Sequence, residues 1–198
     1  MATVHALVLA AGAARRFGSP KGLADYRGRP LVRHVVESVH AALRQTRDAG
    51  TVTVVLGSES ERLRDALSEC DVQIVINPEW QRGLSSSIRL GIGSLPSSTA
   101  AVLIALADQV LVSSDDYRRL LDAAGANPVS PVAARYADTV GVPAVFPAEY
   151  FTRLGELEGD RGAGSLLVSD ERVISINIPN AAVDIDTPEQ LAAAHALP

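Results

Sequence analysis

Apolar residues recur along the chain with two alternating periods. Short, mostly apolar runs stand at Val4–Leu9, Val52–Leu56, Val72–Ile76, Ala101–Ala107, Val129–Ala133, Val142–Phe146 and Val173–Ile178. Their length and β-branched content predict buried strands. Between the first two, Leu31, Val35, Val39, Ala42 and Leu43 return at three- and four-residue spacing. That spacing predicts a helix from Pro30 to about Arg47, with proline at its first position. Further helices are expected over Ser60–Ser68, Ser85–Leu95, Ser113–Ala124, Pro147–Leu154 and Ala163–Val168, and from about Thr187. Ser114 to Asp116 offer a cap and first-turn acids, and Thr187-Pro188-Glu189-Gln190 reads as a capping box. Strands with few polar interruptions, alternating with helices, need cover on both faces. The pattern therefore predicts an α/β fold with a mostly parallel sheet. With no linker, repeat or low-complexity tract, one domain over 1–198 is expected.

Composition narrows the function classes. The 23 acids against 18 bases give a net charge of −5, which argues against a nucleic-acid partner. Against that global sign, Arg15, Arg16, Lys21, Arg27, Arg29 and Arg33 face one acid, Asp25, between positions 15 and 33. Such a cluster suits an anionic small ligand. Lys21 is the sole lysine of the chain. Cys70 alone rules out a disulfide framework, and no zinc spacing of histidines occurs. No apolar run approaches the roughly 18 residues of a membrane span, and the first apolar stretch has no basic lead or cleavage pattern. A cytoplasmic protein without a membrane partner is the expectation.

In sheets of this kind ligands bind outside the carboxyl ends of the strands, and two chemically loaded segments lie there. The first is the loop after the first strand. Leu9, Ala10, Ala11 and Gly12 are small enough at the turn for backbone N–H groups to approach a ligand, while Arg16 and Lys21 add charge toward phosphate oxygens. It is neither a Walker loop nor the Gly-x-Gly-x-x-Gly fingerprint. The alternative is an alanine-rich turn with solvated arginines. The second segment is Asp108, which closes an apolar strand either as a turn aspartate or as a ligand.

Other positions keep two readings. Ser85, Ser86 and Ser87 open a helix, where they either cap it or meet a nucleotide. Asp184 and Asp186 share one side of an extended segment, yet Asp186 also suits the helix start that follows. Gly159-Asp160-Arg161-Gly162 is a turn or the wall of a pocket. Trp80 is a packing residue or a stacking platform, and packing is the favoured reading.

Taken in order, the motifs resemble a known family. Leu9-Ala-Ala-Gly-x-x-x-Arg16-Phe-Gly-x-Pro-Lys21 is similar to the opening signature of the MobA-like NTP transferases. Gly83-Leu-Ser-Ser-Ser-Ile-Arg89-Leu-Gly91, Leu106-Ala-Asp108-Gln109, Gly141-x-Pro143-x-x-Phe146, Gly159-Asp160-x-Gly162-Ala163 and Asp184-Ile-Asp186-Thr-Pro-Glu follow. The branch resembled most is the molybdenum cofactor cytidylyltransferases. Two positions depart from its pattern: Ala14 stands where the family has serine, and Val110 where it has proline.

The resemblance implies a Rossmann-like three-layer sandwich of the nucleotide-diphospho-sugar transferase type. It further implies Mg²⁺-dependent nucleotidyl transfer, with CTP and molybdopterin as first choice of substrates. Arg16, Lys21 and Asp108 would be catalytic. Leu9 to Gly12 and Ser85 to Ser87 would bind nucleotide, and Asp108 with Asp186 the metal. Gly141, Pro143 and Asp160 would shape the acceptor pocket, and a molybdoenzyme or maturation factor would be a protein partner. Similar proteins of nicotine catabolism imply a second activity on the same fold, NAD(P)H-dependent oxidoreduction. A non-catalytic nucleotide-binding protein is the third possibility.

Overall fold

A computed structural model describes residues 3–14 and 16–197; Arg15 of the basic cluster lies outside the described residues. The chain runs β1 (Thr3–Ala10), β2 (Asp25–Tyr26), β3 (Arg29–Pro30), α1 (Leu31–Leu43), β4 (Ala49–Leu56), α2 (Ser60–Ala66) and β5 (Gln73–Ile76). It continues through α3 (Leu84–Gly93), β6 (Thr99–Leu106), α4 (Ser114–Ala126), β7 (Val132–Tyr136), β8 (Thr139–Pro147), α5 (Phe151–Gly155), β9 (Ile174–Asn177) and α6 (Pro188–His195). Seven strands form one sheet in the order β5-β4-β1-β6-β8-β7-β9, and β2 with β3 makes a separate two-stranded hairpin. β5, β4, β1 and β6 are parallel to one another; β8 alone runs against both its neighbours, β6 and β7.

Alternation along the strands explains the layers. In β1, Ala6 and Val8 face a core that holds α1 and α4, with Leu31, Val35, Val39, Tyr117 and Leu120. Leu7 and Leu9 face a second core holding α3 and α5, with Ile88, Tyr150 and Leu154. Both faces of the central strands are thus buried, as a parallel sheet requires. No described helix is long and apolar enough to cross a membrane.

Several boundaries differ from the expectation for identifiable reasons. Pro30 is not the first helical residue: it pairs with Asp25 and holds an extended ψ of 136°, so α1 starts at Leu31. The strand expected at Val129–Ala133 begins at Val132, where pairing with β8 and β9 starts. Ala163–Leu166 is only a 3₁₀ turn. The helix expected from Pro147 splits into a 3₁₀ turn, Ala148–Tyr150, and the short α5. Thr187 and Gln190 do form the capping box of α6.

Candidate active site

The strand order reverses between β1 and β6: from β1 the chain adds β4 and β5 on one side, then returns to place β6 on the other. Both strands end at the same edge, where Ala107 N–H donates to Leu9 O at 3.1 Å. Beyond β1 the loop is held down by Ser58 N–H on Ala11 O, at 3.2 Å. Ala14 then takes φ +50°, a left-handed conformation uncommon for alanine, and Phe17 N–H closes back on Ala14 O at 2.9 Å.

That reversal brings Lys21 to the centre of the edge. Its Nζ donates to Asp108 Oδ2 at 2.8 Å and to Asp186 Oδ1 at 2.9 Å. Arg16 Nη2 donates to the other oxygen of Asp186 at 2.6 Å. The Lys21 side chain is 17% exposed and Arg16 is 76% exposed, so water screens the arginine contact far more. Burial disfavours the charge on Lys21, but Asp108 and Asp186 outweigh it and hold the ammonium above its ordinary pKa. Asp186 is fixed from behind by α6, whose Gln190 Oε1 accepts from Asp186 N–H at 2.8 Å.

Two cavities open on this edge and share Leu9, Gly12, Ala13, Ala14 and Asp108. The first, about 290 Å³, is lined by Arg16, Lys21, Ser58 and Asp186. The second, about 500 Å³, is lined by Ala11, Trp80, Gly83, Ser87, Leu106 and Asp160. One wall of the second is set by Gly83, which sits at φ +100° and where a Cβ would also strike the Gly159 carbonyl.

The donor set suits a hard divalent cation. Asp108 Oδ1 is buried and has no hydrogen-bond partner, and Asp186 stands across Lys21 from it. Among the described residues no three His, Cys, Asp or Glu side chains gather as ligands. Two carboxylates completed by substrate phosphates and water is the pattern magnesium favours.

A family model for the MobA-like NTP transferase domain matches residues 6–173. The chain belongs to this family. A nicotine blue oxidoreductase of Paenarthrobacter nicotinovorans is 28% identical over 198 residues, covering 95% of this chain and 94% of its own. The bifunctional protein GlmU of Sorangium cellulosum is 31% identical over 147 residues, which cover 69% of this chain and 30% of that protein. The crystal structure of Rv0371c from Mycobacterium tuberculosis superposes with a TM-score of 0.82 at 27% identity, over 98% and 97% of the two chains. A manganese complex of Rv0371c superposes at 0.77 with 24% identity, over 96% and 97%.

Within this MobA-like domain the candidate residues divide by place. Leu9, Gly12 and Asp108 line both cavities; Ala10, Arg16, Lys21 and Asp186 line the first, and Ala11, Ser87 and Asp160 the second. Ser85 and Ser86 are buried behind the wall, and Ser86 Oγ reaches Gly83 O at 2.8 Å and Glu79 O at 3.1 Å. The cap of α3 is Gly83 rather than Ser85. Gly141 and Pro143 line neither cavity. Gly141 packs on the Tyr136 hydroxyl, and Pro143 follows a cis peptide in β8. Asp184 also lines neither; buried Ile185 between the two acids donates its N–H to Asp108 O at 3.0 Å, and of the two it is Asp186 that accepts from Lys21. Gln109 ties the Asp108 turn down, its Nε2 donating to Ala181 O at 3.0 Å and Val142 O at 3.3 Å. Sequence reasoning passed over Asn77; Trp80, read there as packing, does pack on Gly57 and also lines the second cavity. The polar pairing of Asn77 with Ser86 and Ser87 has no signature in sequence spacing.

Proposed function

We propose that this protein catalyses Mg²⁺-dependent nucleotidyl transfer, moving a nucleoside monophosphate from an NTP, CTP first, to a phosphorylated acceptor such as molybdopterin. The observation that carries the reading is the convergence of Arg16, Lys21, Asp108 and Asp186 on one cavity at the switch point of the sheet. The acceptor's phosphate oxygen attacks the α-phosphorus, the bond to the bridging oxygen breaks, and pyrophosphate leaves. No protein nucleophile is needed, so positioning and charge neutralisation carry the rate.

The loop from Ala10 to Gly12 offers backbone N–H groups to the phosphates. Lys21 and Arg16 exchange their carboxylate partners for phosphate oxygens and offset the charge that builds on the leaving pyrophosphate. Asp108 and Asp186 are the residues that would hold the magnesium. When bound, that ion neutralises phosphate charge and fixes the geometry of the displacement. The manganese complex of Rv0371c supports divalent-metal use in this fold.

The near full-length match to a nicotine blue oxidoreductase favours a second reading, hydride transfer with NAD(P)H. Hydride transfer makes no use of a carboxylate-bound metal, and this separates the two. In a thermal-shift series with CTP, GTP, ATP, NADH and NADPH, each with and without Mg²⁺, CTP is expected to stabilise only with metal. A hundredfold excess over Kd corresponds to about 2.7 kcal/mol. Asp108→Ala should lose the metal-dependent stabilisation and pyrophosphate release while keeping its melting cooperative. Metal-independent stabilisation by NADPH, with none from any NTP, overturns the transferase reading.

A further inference from the structure

We infer that Asn77 is a positioning residue for nucleobase recognition: it turns the Ser87 hydroxyl into a hydrogen-bond donor aimed at a base carbonyl in the second cavity. This rests on the nucleotidyl-transfer reading and adds to it the group that sets base preference. Asn77 follows the last residue of β5 and is 3% exposed. Its own N–H donates to Leu56 O at 2.7 Å, continuing the β4–β5 pairing by one residue. Pro78 then turns the chain, and Glu79 N–H comes back to Asn77 Oδ1 at 2.9 Å.

That contact decides which way the amide faces. With Oδ1 accepting from the backbone, Nδ2 must be the end that meets the serines. Its two hydrogens are both used, one on Ser86 Oγ and one on Ser87 Oγ, each at 2.9 Å. The two hydroxyls therefore receive from the same donor but differ in what they can do next.

Ser86 has its outlets inside the protein, on Gly83 O at 2.8 Å and on Glu79 O at 3.1 Å. Gly83 O is also the carbonyl one helical turn before Ser87, the usual acceptor for a serine proton in a helix. Ser87 Oγ makes no donor contact with that carbonyl or with any other acceptor among the described residues, so its proton is left for the cavity that this residue lines. A buried hydroxyl that receives but does not donate gains from an acceptor supplied by ligand.

The surroundings suit a nucleobase. Leu9, Leu106 and Trp80 give apolar walls, and the shared Gly12–Ala14 loop connects this space to Lys21 and Arg16. A base seated here leaves its triphosphate able to reach the first cavity. The Ser87 donor then favours a base that presents a carbonyl oxygen over one that presents an amino group.

Trp80, the sole tryptophan, lines the cavity and makes its fluorescence a binding readout that needs no turnover. Titrations with CTP, UTP, GTP and ATP in Mg²⁺ are expected to rank the carbonyl-bearing bases above ATP. Ser87→Ala should weaken CTP about three- to tenfold, the scale of one hydrogen bond, with melting unchanged. Asn77→Asp replaces the donor with an acceptor, draws the Ser87 proton back, and should narrow or reverse the preference of CTP over ATP. Ser87→Thr, which keeps the hydroxyl, should keep the ranking.

A wild-type ranking maintained in Asn77→Asp, or unchanged CTP affinity in Ser87→Ala, overturns the positioning role. A protein that binds no NTP with Mg²⁺ fails at the earlier step and overturns the transferase reading beneath it.

Discussion

Lys21 carries more of the site than any other single side chain. It is the only lysine in a chain whose other cationic side chains at neutral pH are all arginine, and among the described residues its Nζ alone spans the gap between Asp108 and Asp186. A compact ammonium can sit between two carboxylates and later between two phosphate oxygens; a planar guanidinium needs its donors in one plane. Lys21→Arg keeps the charge and is expected to lower pyrophosphate release at least about tenfold, a loss near 1.4 kcal/mol. The check is turnover beside a melting curve: full activity at unchanged stability would make the lysine dispensable. The loop position and the charge of Lys21 were legible in the sequence. Its two partners were not, because positions 108 and 186 reach it only across the sheet edge.

At the scale of elements, α3 carries glycines of two different kinds near its two ends. Gly83 caps the helix at φ +100°, and a Cβ there would strike the Gly159 carbonyl. Gly93, near the other end, faces open space and has no positive φ. Gly83→Ala should therefore destabilise by about 1–3 kcal/mol from backbone strain, with an added loss from the clash. Gly93→Ala should stabilise by about 0.5–1 kcal/mol, by removing freedom from the unfolded chain. Urea unfolding of both variants tests the contrast, and equal effects would refute it. The helix itself was readable from its period despite these glycines. Its start was displaced because the cap is decided by the 159–160 turn, which packs on Gly83 from far along the chain.

For the whole molecule, acid sensitivity follows from two histidines. Burial lowers the pKa of His5 and of His34 below 6.5. His5 accepts the Thr51 N–H on Nδ1 at 3.2 Å, which suits the neutral ring. Above pH 6.5 both rings are neutral in folded and unfolded chains, and their contribution is complete. As pH falls below 6.5 the unfolded chain takes up protons that the folded chain resists, so stability is lost. A second acid limb comes from Asp170, held at about 2 by the Tyr150 hydroxyl and, below that, by Arg153 and Arg172; its share disappears from 3.8 downward. Unfolding at pH 7.5 and 5.5 should show the first limb, and His5→Gln should make it shallower; an equal slope would contradict this origin.

The hydrophobic period alone determined the alternation of strands and helices, the two covered faces, and the loops in which chemistry would sit. Burial is a per-residue demand, and periodicity records it locally. The reversed strand β8, the β2–β3 hairpin and the late start of β7 were decided by which backbone edges were free to pair. The lock of Lys21 between two acids, and the amide of Asn77 that orients Ser87, were also decided in three dimensions. Each is a pairing of polar groups between distant segments, and such pairings leave no period behind.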